Sequence, residues 1–204
     1  MRLDYWNNAK AHLSRQDKTL KGIIGAYDGE MLVSRGDAFY TLARSIAGQQ
    51  ISVKAADTVW KRIEEAVPIT PTSMAIADEQ TLRAAGLSRQ KVMYMQALAG
   101  HFIHNKKVIA SWDSMGDDDI IRELSSIKGI GRWTAEMFLI FHMGRPDVFP
   151  LADIGLQKAI FRHYNEGQPL TRKEMAALGE RWKPYRTAAT WYLWRALDPV
   201  PVAY

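Results

Sequence analysis

Two glycines separated by one residue, Gly129 and Gly131, interrupt the stretch LSSIKGIGRWTAEMFLIF, which is otherwise typical of helix. A glycine inside a helix costs about 1 kcal/mol relative to alanine, so the pair predicts a hairpin turn between two helices. The amides of residues 129–134 would then lie at the start of the second helix, where N–H groups without intrahelical acceptors and the helix dipole favour binding of one phosphate. The Gly-x-Gly pattern by itself also fits a tight connection between helices that binds nothing.

The carbonyl side of the same turn offers ligands of a different kind. The backbone oxygens of Ser125, Ile127 and Ile130 would be available to a monovalent cation that shares the phosphate charge. The sequence therefore predicts a candidate structural Na⁺ or K⁺ site at the hairpin, and it indicates no organic cofactor.

Asp153, in the stretch FPLADIGLQKA, is an acidic residue at the point where a loop becomes a helix. An aspartate in this position ordinarily caps the helix, because its carboxylate accepts hydrogen bonds from the first amides. The consecutive acids at 117–119 are typical of a first helical turn, and we expect no catalytic role for them.

Composition limits the chemistry that these groups can support. The chain of 204 residues has no cysteine, which excludes disulfides, thiolate nucleophiles and zinc–thiolate sites. A net charge of +5 favours an anionic partner only weakly, since many proteins without such a partner are equally basic. The apolar runs are too short for a membrane span and the first residues do not resemble a signal sequence, so we expect a soluble cytoplasmic protein with no membrane contact.

The elements that must position these groups are helices. Apolar residues recur at helical spacing along most of the chain, and no segment alternates convincingly as a strand, so the predicted fold class is all-α, with about ten short helices. Helix starts are predicted at Ser52, Asp78 and Ser88 and at a capping box formed by Thr171 and Glu174. The apolar positions used are Phe39, Leu42, Ala43, Ile46, Val53, Ala56, Val59, Trp60, Ile63, Val92, Met95, Leu98 and Phe102.

A family resemblance covers most of residues 36–197. It is carried by SIAGQQISVKAA, GLSRQKVMYMQALA, KGIGRWTAEMF with DVFPLADIGLQKA, and RWKPYRTAATWYLWRAL, in that order. These stretches resemble the helix-hairpin-helix base-excision DNA glycosylase superfamily, and the similarity is closest to the alkylated-base branch, DNA-3-methyladenine glycosylase II. The chain is similar to a compact form of that branch without the extra N-terminal domain.

The resemblance implies two helical lobes with a central cleft for a base that has rotated out of the duplex. Residues 36–138 would form the helix-hairpin-helix lobe, and residues 1–35 with 139–204 would form the second lobe. The second lobe carries Asp153, which matches the position of the family's catalytic aspartate. Breaking the bond between base and deoxyribose passes through an oxocarbenium-like sugar, and a fixed carboxylate stabilises that charge.

The residue two positions after the second glycine predicts the type of reaction. Family members that also cut the DNA backbone have a lysine there, which forms a Schiff base with the sugar, but this chain has Trp133. Indole has no amine to attack the sugar, so the resemblance implies a monofunctional hydrolase that leaves an abasic site. Its expected substrates are alkylated bases of the 3-methyladenine and 7-methylguanine type in duplex DNA, as a step of base excision repair.

The same resemblance assigns the remaining site residues. Trp133, Trp194 and Met137 match base-pocket positions, where an indole face attracts a cationic alkylated purine. The loop GQQIS, residues 48–52 and here named the wedge loop, would enter the minor groove with Gln50 or Ile51 filling the gap left by the base. The expected DNA-binding residues of the hairpin are Lys128, Gly129, Ile130, Gly131, Trp133 and Thr134.

Two alternatives stay open at this point. One is a noncatalytic helix-hairpin-helix module, in which the hairpin binds phosphates of double-stranded DNA and Asp153 only caps its helix. The other is a glycosylase for oxidised or mismatched bases, for which Lys128 or the N-terminal amine would have to serve if a covalent intermediate formed. We expect a monomer with no obligate protein partner.

Overall fold

A computed structural model describes residues 3–34 and 36–197, and every regular element in these residues is a helix, as the predicted all-α class requires. In chain order the first helices are α1 (Trp6–Gln16), α2 (Lys18–Ala26), α3 (Ala38–Gly48), α4 (Val53–Ala66), α5 (Pro71–Ile76), α6 (Glu79–Ala84) and α7 (Arg89–His104). They are followed by α8 (Lys106–Ser111), a 3₁₀ turn (Trp112–Ser114), α9 (Asp117–Ser125), α10 (Arg132–Phe141), α11 (Ile154–Tyr164), α12 (Arg172–Glu180) and α13 (Arg186–Leu197).

The prediction of about ten helices was too low, since the described residues form thirteen α-helices. Three of these, α5, α6 and α8, have only six residues each, which is too short for a periodic apolar pattern to identify. None of the described helices is both long enough and apolar enough to cross a lipid bilayer.

The predicted helix starts are confirmed by their side-chain caps. Ser52, Asp78 and Ser88 each accept a hydrogen bond from the amide three residues on. Thr171 and Glu174 form both halves of a capping box, which satisfies two amides at the start of α12. Local sequence therefore determines where these helices begin.

The described residues fall into two compact units. One unit contains residues 3–34 and 139–197, and the other contains residues 36–138. The resemblance implies the same ranges for the two lobes, and the cleft between the lobes stays a prediction. The predicted lobes also include residues 1, 2, 35 and 198–204, which lie outside the described residues.

The core of the first unit is built around α13, in which residues 187–195 are all buried. The helices α1, α2 and α11 pack against it.

At the edge of this core, Asp17 is only 3% exposed and accepts four hydrogen bonds. The donors are the amides of Thr19 and Leu20, the Tyr164 hydroxyl and the Trp182 indole, at 2.9 to 3.0 Å. A buried carboxylate needs such donors, and here they connect α2 to α11 and to the segment after α12.

The core of the second unit is built around α7, which packs against α3, α5 and α6. A chain of edge-to-face aromatic contacts joins Phe39, Phe102, Trp112 and Phe138, with ring centroids 5.3 to 5.7 Å apart. This chain of contacts connects α3 and α7 to α10, the helix that follows the glycine pair. The packing fixes the direction of α10.

One apolar position of the helical pattern lies outside this core. Val53 is 66% exposed, whereas Trp60 and Ile63 on the same helix are 1% and 0% exposed. Val53 is the first residue of α4, directly after the wedge loop, where the helix has not yet reached the core. Val53 is helical as its spacing predicts, and spacing alone does not determine its burial.

Candidate active site

Asp153 stands at the N-terminus of α11 and caps it, as predicted. Its backbone is extended, with φ −72° and ψ 119°, and its Oδ1 accepts a hydrogen bond of 2.6 Å from the amide of Leu156. The residue is 6% exposed. The cap fixes the carboxylate relative to the helix and adds the favourable field of the helix N-terminus.

A second donor reaches the same carboxylate oxygen from another helix. The indole Nε1 of Trp194, on α13, donates to Oδ1 of Asp153 at 2.8 Å. Trp194 is itself immobilised, since it is 5% exposed and its ring stacks on Phe141, with centroids 5.9 Å apart and planes 10° from parallel. Donors from two directions determine the position of the carboxylate, which is what catalysis by a fixed charge requires.

Gly155 lies against this pair, and sequence reasoning missed it. A Cβ built on Gly155 would lie 3.1 Å from Oδ1 of Asp153, and 3.4 and 3.5 Å from Cδ1 and Nε1 of Trp194. The first distance is tighter than ordinary van der Waals contact. Any side chain at position 155 would therefore displace the aspartate or the indole. The available signal was a glycine in the first turn of a helix, where it is otherwise unfavourable.

The predicted hairpin is present. Helix α9 ends at Ser125, and α10 begins at Arg132, so residues 126–131 form the turn, here named the glycine turn. The amide of Ile130 donates to the carbonyl of Ile127 at 3.0 Å within the turn. The carbonyl of Gly131 accepts from Ala135 at 3.1 Å, which makes Gly131 the residue that precedes the first helical turn.

The two glycines of this turn serve different purposes. Gly129 has φ +95°, and a Cβ there would lie 2.2 Å from Cγ of Tyr94 on α7, so the fold itself requires a glycine. Gly131 has neither constraint, because its φ lies outside the left-handed region and a Cβ would meet no atom within 4 Å. Gly131 is also exposed, so its backbone can be approached from solvent.

The other hairpin residues differ in how they could contact a ligand. Lys128 is exposed and Trp133 is half-buried, so their side chains can be reached. Ile130 and Thr134 are each 4% exposed, so they could contact a ligand only through their backbones. The Ile130 amide, predicted among the phosphate-binding amides, already donates to the Ile127 carbonyl, which leaves only the Ile130 carbonyl for a ligand. The Na⁺ or K⁺ site at the carbonyls of the turn stays a prediction. The Ile127 carbonyl already accepts one hydrogen bond, so only its second lone pair is available to a cation.

The wedge loop has a backbone feature that the sequence did not reveal. Gln50 is an exposed residue with φ +62°, in the left-handed region that non-glycine residues adopt at a cost of roughly 1–2 kcal/mol. The next residue, Ile51, has an apolar side chain that is 41% exposed. Such strain persists only where the surroundings hold it, and it concentrates at functional sites.

The surroundings that hold the wedge loop include α7 and the glycine turn. The ammonium of Lys91, on α7, donates to the carbonyls of Ala47 and Gln49 at 2.8 and 2.6 Å. The Gln49 side chain in turn donates from Nε2 to the carbonyl of Gly129 at 2.9 Å. Burial lowers the pKa of Lys91.

Of the predicted base-pocket residues, Trp194 lies beside Asp153 in the first unit. Trp133 and Met137 lie one turn apart on α10 in the second unit, where Met137 is 2% exposed and packs in the core. That these three residues surround one base stays a prediction. No group of histidines and acidic residues within 3–34 and 36–197 is arranged to hold a metal ion.

The sequence of the chain is similar to known DNA repair proteins. Residues 43–184 match the model of the HhH-GPD superfamily base excision DNA repair protein. DNA-3-methyladenine glycosylase 1 of Schizosaccharomyces pombe is 31% identical over 196 residues, which cover 92% of this chain and 86% of that protein.

Solved structures agree with the sequence match. The 3-methyladenine DNA glycosylase Mag1 of Schizosaccharomyces pombe, in complex with abasic DNA, superposes with a TM-score of 0.83 at 28% identity, covering 97% of this chain and all of that one. A DNA-3-methyladenine glycosidase from Bacillus halodurans superposes with a TM-score of 0.81 at 33% identity, covering 92% of this chain and 87% of the other.

Proposed function

The chain belongs to the HhH-GPD superfamily of base excision DNA repair proteins, and on that premise we propose that it is a monofunctional DNA N-glycosylase for alkylated bases. It hydrolyses the bond between the damaged base and deoxyribose in double-stranded DNA and leaves an abasic site. Its relatives are named for 3-methyladenine, and the substrate class is purines alkylated at a ring nitrogen, such as 3-methyladenine and 7-methylguanine.

The observation that supports this function most strongly is the fixed carboxylate of Asp153. Its Oδ1 is held by the Leu156 amide and the Trp194 indole, so the negative charge cannot move away from its position. As the bond between C1′ and the base nitrogen breaks, the electron pair leaves with the base and positive charge develops on the sugar. A preorganised anion beside that sugar lowers the energy of the transition state. Water then adds to C1′ and releases one proton.

The alkylated base contributes to its own departure. A purine alkylated at a ring nitrogen carries positive charge, and an indole face attracts such a cation by about 0.5–2 kcal/mol. Trp133 is half-buried, so one part of its ring can reach a ligand. Selection by charge and stacking fits an indole at position 133. Because position 133 carries an indole, no covalent imine forms there and the reaction stops at the abasic site.

The hairpin and the wedge loop supply the contacts to DNA. The glycine turn presents the first amides of α10 to one phosphate, with Lys128 nearby as a neutralising charge. The exposed Gln50 and Ile51 fill the gap that the rotated nucleotide leaves in the duplex. The protein acts as a monomer on DNA in the cytoplasm.

The substitution Asp153→Asn tests the catalytic assignment. Asparagine is an equally good helix cap, and its carbonyl oxygen can still accept from Leu156 and Trp194, so the fold and DNA affinity should be retained. Loss of the negative charge should lower the single-turnover rate of base release from a methylated duplex by about 10² or more. Thermal denaturation and DNA-binding titrations provide the controls.

Two results would contradict the proposal in different ways. Full base release by the Asp153→Asn variant would remove the catalytic role of this carboxylate. An absence of base release by the unaltered protein on alkylated duplexes, with DNA binding retained, would favour a noncatalytic DNA-binding module. A panel of duplexes that each contain one damaged base, scored for the free base, separates alkylated from oxidised or mismatched substrates.

A further inference from the structure

The wedge loop has a strained backbone, which its contacts with neighbouring elements support. Gln50 is held at φ +62° although it is exposed, and Ile51 is 41% exposed. The backbone bonds at the two ends of the loop are long, at 3.4 Å from Gln49 to Ile46 and 3.5 Å from Ile51 to Gly48. Such a backbone persists only where contacts with the rest of the fold hold it.

Lys91 makes the first of these contacts. Its ammonium donates to the carbonyls of Ala47 and Gln49, at the C-terminal end of α3. Carbonyls at a helix C-terminus have no intrahelical donors, and the helix dipole is negative there, so a cation is the favoured partner. Lys91 thus holds the point where α3 stops and the wedge loop begins.

Gln49, a residue of the wedge loop itself, makes the second contact. Its side-chain amide donates to the carbonyl of Gly129 at 2.9 Å, which joins the wedge loop to the glycine turn. Gly129 has φ +95° and lies directly against the ring of Tyr94. Tyr94 and Lys91 belong to the same helix, α7. The wedge loop and the glycine turn therefore both contact α7, and a hydrogen bond joins them to each other.

We propose that Gln49 and Lys91 are positioning residues for base extrusion. They hold the wedge loop at a fixed offset from the glycine turn, so that binding of a phosphate by the turn places Gln50 and Ile51 against the base stack. The inference rests on the proposed glycosylase function and adds residues that act before the bond is broken. They act through the wedge loop and do not touch the reacting atoms.

This role predicts a dependence on how firmly the damaged base is paired. Extrusion of a base is unfavourable in a well-paired duplex and much less so where the base has no partner. Loss of a positioning residue should slow base release from the paired duplex and have little effect where extrusion is already easy. A residue needed for the chemistry or for the general fold would slow both equally.

The experiment compares two duplexes at saturating enzyme under single-turnover conditions. In one the alkylated base faces its normal partner, and in the other it faces an abasic-site analogue. Lys91→Met removes the ammonium and keeps the length of the side chain, and Gln49→Met removes the amide. Each variant should lower the rate about tenfold on the paired duplex, because the hydrogen bonds that hold the wedge loop in place are lost. On the unpaired duplex each should lower the rate by less than about threefold.

Matched variants separate this role from others. Lys91→Arg keeps a cation with several donors and should restore the rate on the paired duplex. Lys107→Met, at an exposed lysine of α8, should change neither rate. Asp153→Asn should lose activity on both duplexes alike, so failure of the chemistry is distinguishable from failure of extrusion.

A binding readout makes the test independent of catalysis. A 2-aminopurine next to the lesion brightens when it unstacks, so the unaltered protein and the Asp153→Asn variant should raise its fluorescence on binding. Lys91→Met and Gln49→Met should bind the duplex and lose most of that increase. An equal loss of rate on both duplexes, or an unchanged rate and fluorescence, would overturn the proposal. If Lys91→Met does not fold by circular dichroism, Gln49→Met carries the test.

Discussion

Replacing Gly155 with alanine perturbs the candidate active site by one methyl group. The new Cβ would lie 3.1 Å from Oδ1 of Asp153 and 3.4 Å from Cδ1 of Trp194, so the carboxylate, the indole or both must move by a few tenths of an ångström. These two groups share the 2.8 Å hydrogen bond that fixes the carboxylate. The substitution therefore changes the position of the charge without removing it.

The expected loss of activity follows from the size of this displacement. A misplacement of 1 Å can lower a rate about 10²-fold, so a shift of a few tenths should lower base release by about threefold to tenfold. Stability should change in the opposite direction. Gly155 is helical and its φ lies outside the left-handed region, so alanine should stabilise α11 by about 0.5–1 kcal/mol, less the strain of the contact.

The assay measures single-turnover base release and the free energy of unfolding in urea on the same preparations. Gly22→Ala is the matched control, since Gly22 is also helical and a Cβ there would meet nothing within 4 Å. It should gain stability with no change in rate. The indole Nε1–H resonance of Trp194 should shift in Gly155→Ala and remain in place in the control. An unchanged rate together with a shifted resonance would refute the claim that the position of this carboxylate limits catalysis.

Four further predictions concern the glycine turn, the buried acid of the first unit and the reaction type. Gly129→Ala should lower the free energy of unfolding by about 2–4 kcal/mol in urea, because it combines a left-handed backbone with a clash against Tyr94. Gly131→Ala should leave stability within about 0.5 kcal/mol of the original and weaken DNA binding measured by fluorescence anisotropy; unchanged binding would contradict a phosphate contact there. Asp17→Asn should destabilise by about 2–4 kcal/mol in thermal denaturation, because its new NH₂ faces hydroxyl and indole donors, while base release by the folded fraction persists. Borohydride added during turnover should trap no protein–DNA adduct, since Trp133 lacks an amine; an adduct would require another amine in the mechanism.

Features encoded by neighbouring residues were predictable from the sequence. The cap at Asp153 and the hairpin at Gly129 and Gly131 are local, because each depends on residues within one helical turn. The helix starts at Ser52 and Ser88 are predictable for the same reason. Helices α5 and α8 had no predicted start, since six residues do not form a recognisable apolar period, whereas the cap at Asp78 marked the start of α6.

Contacts between distant residues could not be predicted from local pattern. Trp194 was expected near the site through its indole face, but the structure uses its N–H on Asp153, 41 residues away. The bond from Gln49 to Gly129 spans 80 residues, and the role of Lys91 depends on how α7 packs beside α3. Tertiary packing brings these groups together, and no spacing rule along one helix describes it.

The two glycines of the hairpin illustrate why a matched motif supports a fold more directly than a function. Gly129 is required by the protein's own backbone and by Tyr94, so a chain that binds nothing would also need it. Gly131 precedes the first turn of α10, a position where serine, aspartate or asparagine would cap the helix by accepting its amides. Helices α4 and α7 use Ser52 and Ser88 in that way. A capping side chain at position 131 would occupy the amides that a phosphate needs, so glycine there leaves them available to DNA. The second glycine, and not the first, is therefore the part of the motif that indicates a ligand.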